Sequence, residues 1–131
     1  AGAPAGAAPY ADADAILGHV DLRARPENHA AHRTLLGMGV RRDQRRLGLG
    51  RTLLATALDW AAAQPGLDWV DLEVLSANAP ALRLYGDCGF TRTGEIADLF
   101  RVDGERLGSI FMARSAQAAP LARRTRLLNS D

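Results

Sequence analysis

Between Arg33 and Leu75 the chain changes its periodicity twice, and this restricts the fold more than any other feature. "RTLLGMGV" (Arg33–Val40) alternates, with Leu36, Met38 and Val40 on one side and Leu35, Gly37 and Gly39 on the other. From Gly50 to about Gln64 the apolar residues Leu53, Leu54, Ala57, Leu58 and Ala61 follow a helical stripe, which Pro65-Gly66 ends. "DWVDLEVLS" then alternates again, sending Val70, Leu72 and Val74 one way and Trp69, Asp71 and Glu73 the other. A strand, a helix and a strand in one sheet require a right-handed crossover, with the two strands parallel.

The flanking segments extend this unit. "AILGHVDLRA" (Ala15–Ala24) reads as a strand, followed by the polar loop "RPENHAAH". A second helix is expected over Ala79–Asp87, with Asn78 at its cap and Pro80 in its first turn. After Gly89-Phe90, Asp103-Gly104 marks a hairpin between strands at roughly Glu95–Val102 and Arg106–Ala113. The order β–β–α–β–α–β–β predicts an α/β fold (α+β in some schemes): a mixed sheet with helices on its faces. Residues 1–14 read as a flexible Ala/Gly/Pro-rich lead-in, 15–114 as the domain and 115–131 as a C-terminal tail.

Composition narrows the chemistry. The chain has 131 residues, 47% of them hydrophobic and 24% charged, which suits one compact domain with a real core. A net charge of +1 gives no whole-molecule attraction to nucleic acid or anionic lipid. All 16 basic residues are arginine, so a lysine Schiff base and a lysine-dependent phosphate loop are both excluded. One cysteine, Cys88, allows no intrachain disulfide, and no apolar run approaches the ~20 residues of a membrane span. The expectation is a cytoplasmic protein with no membrane, nucleic-acid or metal partner.

Positive charge is nevertheless concentrated in one place. From Arg33 to Arg51 there are six Arg and one Asp, and "RRLGLGR" leads straight into the first helix. Unpaired N–H groups and the dipole make a helix N-terminus a place to hold an anion. A dinucleotide fingerprint is incomplete there, because Gly48 and Gly50 are followed by Leu53 where a third small residue is needed; with Asp71 about twenty residues on, it stays as a minor alternative. Arg45-Arg46-Leu47-Gly48-Leu49-Gly50 instead has the form [QR]-x-x-G-x-[GA], with glycines for close backbone approach and successive N–H groups from Arg46 to Arg51 for phosphate oxygens. A second block, Asn78 to Phe90, reads N-x-x-A-x-x-L-Y-x-x-x-G-F.

The two blocks, in order and each on a strand–helix junction, resemble the GNAT superfamily of N-acetyltransferases over roughly Ala15 to Arg114. The resemblance extends to the amino-acid, small-amine and ribosomal-protein branches. It implies a sheet whose two central parallel strands splay apart to admit acetyl-CoA. It also implies transfer of the acetyl group to a primary amine (small amine, amino acid or peptide N-terminus) by direct attack in a ternary complex. The strand Met38-Gly39-Val40 would pair with the pantetheine arm, the Val40 N–H would polarise the acetyl carbonyl, and Gly37 and Gly39 would leave room. Arg45, Arg46, Leu47, Gly48, Leu49, Gly50 and Arg51 would hold the diphosphate. Tyr85 would protonate the departing thiolate. Glu73, twelve residues earlier, would serve as base through water, with Asp71 a weaker candidate. Asn78 would touch the pantetheine or cap its own helix. Relatives leave a homodimer open.

Other reactive residues have plainer readings. Cys88 beside Gly89 reads as a small packed residue, His29 and His32 as a polar loop, Trp60 and Trp69 as core or cleft-wall packing, and Arg123, Arg124 and Arg126 as a solvated tail. The chain departs from the family in its front end. Family members carry a strand and two helices before the strand at Ala15–Ala24, where only about fourteen residues stand here, so those elements are expected to be shortened or omitted from the sequence. Because they line the acceptor site, the rival to an enzyme is a catalytically idle acyl-CoA-binding module.

Overall fold

A computed structural model describes residues 17–41 and 48–121. The elements are β1 (Gly18–Ala24), β2 (Arg33–Val40), α1 (Leu49–Ala62), β3 (Trp69–Leu75), α2 (Ala79–Asp87), β4 (Thr91–Val102) and β5 (Glu105–Ser115), in the expected succession. The five strands form one mixed sheet in the order β1-β2-β3-β5-β4, in which only β2 and β3 pair in parallel. The lead-in 1–14 and the arginines at 123, 124 and 126 lie outside the described residues, as do Ala15 and Ile16 of the expected first strand.

Local chemistry accounts for most boundaries. Asn78 Oδ1 accepts the Ala81 N–H at 3.2 Å and proline occupies the first turn, so α2 starts where the sequence places it. α1 ends at Ala62, two residues before the expected Gln64, because Ala63 and Gln64 close a tighter turn onto Trp60 and Ala61 ahead of Pro65. Asp103 and Gly104, with φ of 51° and 82°, make the left-handed two-residue turn that suits strand twist. β4 begins at Thr91 rather than Glu95, since pairing with β5 extends back to Thr91↔Ala113 although every β4 side chain is exposed. β5 likewise runs from Glu105 to Ser115, longer than the expected Arg106–Ala113.

Both helices pack on one face of the sheet. Leu54, Leu58 and Ala61 of α1 and Tyr85 of α2 join Leu36, Val70, Leu72, Val74, Ile110 and Met112 in a single core. Each fully buried Leu or Val in such a core contributes about 1.5–3 kcal/mol over its exposed state. The helices also touch each other: a Cβ on Gly50 of α1 would stand 3.3 Å from Leu84 Cδ2 of α2. Arg114 clamps the edge of this layer, donating from Nε to the Cys88 carbonyl at 2.9 Å and from its terminal nitrogen to the Ala119 carbonyl.

The opposite face carries no helix among the described residues, and the strand registers arrange it in rows. One row is Arg23, Leu35, Asp71, Ala113 and Thr91; the next is Asp21, Gly37, Glu73 and Phe111; the third is His19, Gly39, Leu75, Ser109 and Ile96. In the second and third rows β2 and β3 are no longer paired.

Candidate active site

β2 and β3 pair only at Arg33↔Trp69, Thr34↔Val70 and Leu35↔Asp71, although β2 continues to Val40 and β3 to Leu75. The expected splay therefore begins just past Leu35. At the far end of β2, Arg41 N–H donates to the Leu17 carbonyl at 2.8 Å, which turns the main-chain groups of Met38 and Val40 to the other edge, toward β3. They border a cleft of about 810 Å³ that passes between the strands to the N-termini of both helices.

Gly48, Gly50 and Arg51 line this cleft at the start of α1. Gly48 is its N-cap residue and adopts the left-handed conformation (φ 81°) without a side-chain cap, while the Thr52 N–H and hydroxyl both donate to its carbonyl at 3.1 Å. The positive end of the α1 dipole is thus presented to the cleft, and the first turn of the helix holds no acidic residue. Arg45, Arg46 and Leu47 lie outside the described residues. Leu49 turns away from the cleft, packing its side chain near Gly18 of β1. Arg51 does not extend its guanidinium freely; NH1 donates to Cys88 Sγ at 3.3 Å.

The proton-handling candidates meet in the same cleft. Tyr85 is 7% exposed and stands edge-on to Phe90, with ring centroids 5.8 Å apart. Burial raises its pKa above the usual phenol range, so the hydroxyl stays protonated at neutral pH. Glu73 is exposed on the opposite face of β3 yet also lines the cleft. Asn78, acting as the α2 cap, lies at its rim.

Several expectations need correction. Asp71, the weaker base candidate, is 9% exposed and engaged by Arg33 through bonds of 2.8 and 2.6 Å and by Arg25 at 3.3 Å, so its oxygens are occupied. Of the two readings of Trp60 and Trp69, core packing is the one that fails: they are 52% and 39% exposed, Trp60 lines a hollow beside Arg25 and Arg33, and the Arg33 guanidinium stacks over Trp69 at 5.1 Å. Nor is the space beside Gly37 and Gly39 vacant. A Cβ on Gly37 would stand 2.9 Å from Asp21 Oδ1, and one on Gly39 only 2.7 Å from His19 Cε1. Sequence reading missed these β1 partners, although His19 and Asp21 match the spacing of the two glycines. Cys88 is buried as expected, and burial pushes its thiol pKa up. Among the described residues no group of three metal-ligating side chains gathers, and no helix is long and apolar enough to cross a membrane.

A family model described as "Acetyltransferase (GNAT) family" matches residues 3–90. The chain belongs to the GNAT family. A mycothiol acetyltransferase of Clavibacter michiganensis is 53% identical over 53 residues, 40% of this chain and 17% of that protein. A spermidine N(1)-acetyltransferase of Vibrio cholerae is 35% identical over 57 residues, 44% of this chain and 33% of that one. The GNAT fold is shared with yncA of Salmonella typhimurium, solved with its cofactor acetyl-CoA, at a TM-score of 0.72 and 23% identity over 82% of this chain and 62% of that one. The match thus spans well under half of either curated GNAT relative.

Proposed function

We propose that this chain transfers an acetyl group from acetyl-CoA to a primary amine. The observation that carries the reading is the parting of β2 from β3 directly before the N-terminus of α1, with Tyr85 and Glu73 in the same cleft. Bound acetyl-CoA would supply an activated thioester carbonyl. Met38 and Val40 offer main-chain groups along the cleft edge for an extended arm, and the start of α1 from Gly48 to Arg51 suits a diphosphate. Tyr85, kept protonated by burial, is suited to donate to a departing thiolate, and Glu73, reached from the helix-free face, to take a proton from the amine through water. The reading carries a cytoplasmic setting, to which the single cysteine is suited.

One observation favours a second reading. The face bearing Glu73 has no helix over it among the described residues, so an acyl-CoA-binding module without turnover would also use the cleft. Calorimetry with coenzyme A, followed by thiol release from acetyl-CoA against a panel of primary amines, separates the two. Thiol release that depends on the amine and is lost in Tyr85→Phe supports the enzyme; tight coenzyme A binding with no turnover on any amine supports the module; no binding at all overturns both.

A further inference from the structure

We infer that His19 is the residue that receives the acceptor amine, taking its proton on the face of the sheet opposite the helices; this rests on the acetyl-transfer reading above. Three observations place it there. Its imidazole lies on Gly39, so close that a single methyl group on that residue would meet Cε1 at 2.7 Å. Gly39 itself lines the cleft and adjoins Val40, whose main chain is turned to the parting strands, so the ring sits over a residue of the cleft wall. Glu73 stands across that opening on β3, in the neighbouring row of the same face. An amine reaching the cleft from the helix-free face would therefore have the imidazole above Gly39 on the β2 side and the Glu73 carboxylate on the β3 side.

The chemistry favours the imidazole for direct contact. A primary amine arrives as an ammonium ion and must lose a proton before its lone pair can attack. Imidazole is the side chain that exchanges protons near neutral pH. The neutral ring takes one proton from R–NH3⁺, giving R–NH2 and imidazolium. The amine lone pair then forms the C–N bond as the C–S bond breaks, and Tyr85 protonates the thiolate that leaves. Loss of the second amine proton, to water held by Glu73, completes the amide. Among the described residues, the charged groups on the same face of the neighbouring rows are Asp21 and Arg23 on β1 and Glu73 on β3; α1, on the other face, approaches this end of β1 with Leu49 and Leu53. Packed on Gly39, the ring stands on the β2 side of the gap.

The test uses His19→Gln, which keeps a polar side chain at an exposed position, together with Gly39→Ala, which keeps the imidazole but displaces it. With acetyl-CoA and a simple primary amine, His19→Gln is expected to lower kcat/KM for the amine by about 10²-fold, the usual scale of general-base loss. The acidic limb of the pH profile should disappear, the KM for acetyl-CoA should hold within twofold, and added imidazole should restore part of the rate. Gly39→Ala should reproduce the loss. A second readout is independent of turnover: the His19 ring signals in ¹H–¹⁵N NMR should shift when the amine is added to the chain with coenzyme A bound. An unchanged acidic limb in His19→Gln, or ring signals indifferent to the amine, overturns the assignment while leaving the acetyl-transfer reading intact. A wild-type chain that releases no thiol with any amine overturns that reading, and this assignment with it.

Discussion

Arg33 joins β2 to β3 through Asp71 by two side-by-side hydrogen bonds, Nε to Oδ2 at 2.8 Å and the terminal nitrogen to Oδ1 at 2.6 Å, at the foot of the opening between the strands. Trp69 supports the guanidinium from below at 5.1 Å, and Arg25 adds a third contact to the same carboxylate. The last paired rung, Leu35↔Asp71, contains this aspartate, so the ion pair bolts the closed part of the sheet where the open part begins. Asp71→Ala is expected to lower stability by about 1–3 kcal/mol, because the pair is only partly buried and some of its charge is screened by solvent. Urea denaturation of the two proteins measures it. Arg33→Lys should recover little of the loss, since an ammonium cannot reproduce the fork.

Tyr85→Phe should lower kcat by about 10²-fold or more, the scale expected when a positioned proton donor is lost, and leave coenzyme A affinity within twofold. Thiol-release kinetics and calorimetry on one preparation check both halves.

The raised pKa of Tyr85 sets a direction in pH. Its folded value lies above the ordinary phenol value of 10.0 because burial disfavours the phenolate. The buried neutral phenol therefore contributes its full stabilisation below that value, and the contribution is lost as pH rises from it through the raised value. Stability measured against pH should fall more steeply above pH 10 in the wild type than in Tyr85→Phe. Equal slopes would show that the phenol does not titrate with folding.

Gly48→Ala tests the uncapped start of α1. A left-handed φ of 81° costs an alanine about 1 kcal/mol or more relative to glycine. The expected result is a modest drop in thermal midpoint together with coenzyme A affinity weakened several-fold, because the first-turn N–H groups are re-aimed. Affinity equal to wild type would remove this turn from the binding site.

Arg114→Leu should destabilise by about 1–3 kcal/mol per carbonyl left without its donor. Both the Cys88 and Ala119 carbonyls depend on it, and the side chain is 5% exposed, so water cannot fully replace it. Chemical denaturation measures the cost. Gly89→Ala should also destabilise: its φ is 93°, and a Cβ would stand 3.0 Å from Arg114 Nε.

Local signals in the chain were enough to set the element order, the bounds of α2 and the Asp103-Gly104 turn. Each depends on residues within a few positions of one another: Asn78 on Ala81, Asp103 on Gly104. The inward residues Val70, Leu72 and Val74 were legible for the same reason, because alternation along a strand is a local property. Burial of Asp71 was not, since two arginines from distant positions cover a side chain that alternation sends outward. The use of Gly37 and Gly39 was decided in the same way. In the sequence they are an absence of side chains; in the folded sheet the antiparallel register lays Asp21 and His19 over them. Which face a residue occupies follows from its neighbours along the chain, whereas what fills the space beside it is set by strand pairing, and pairing partners are chosen by packing across the whole sheet.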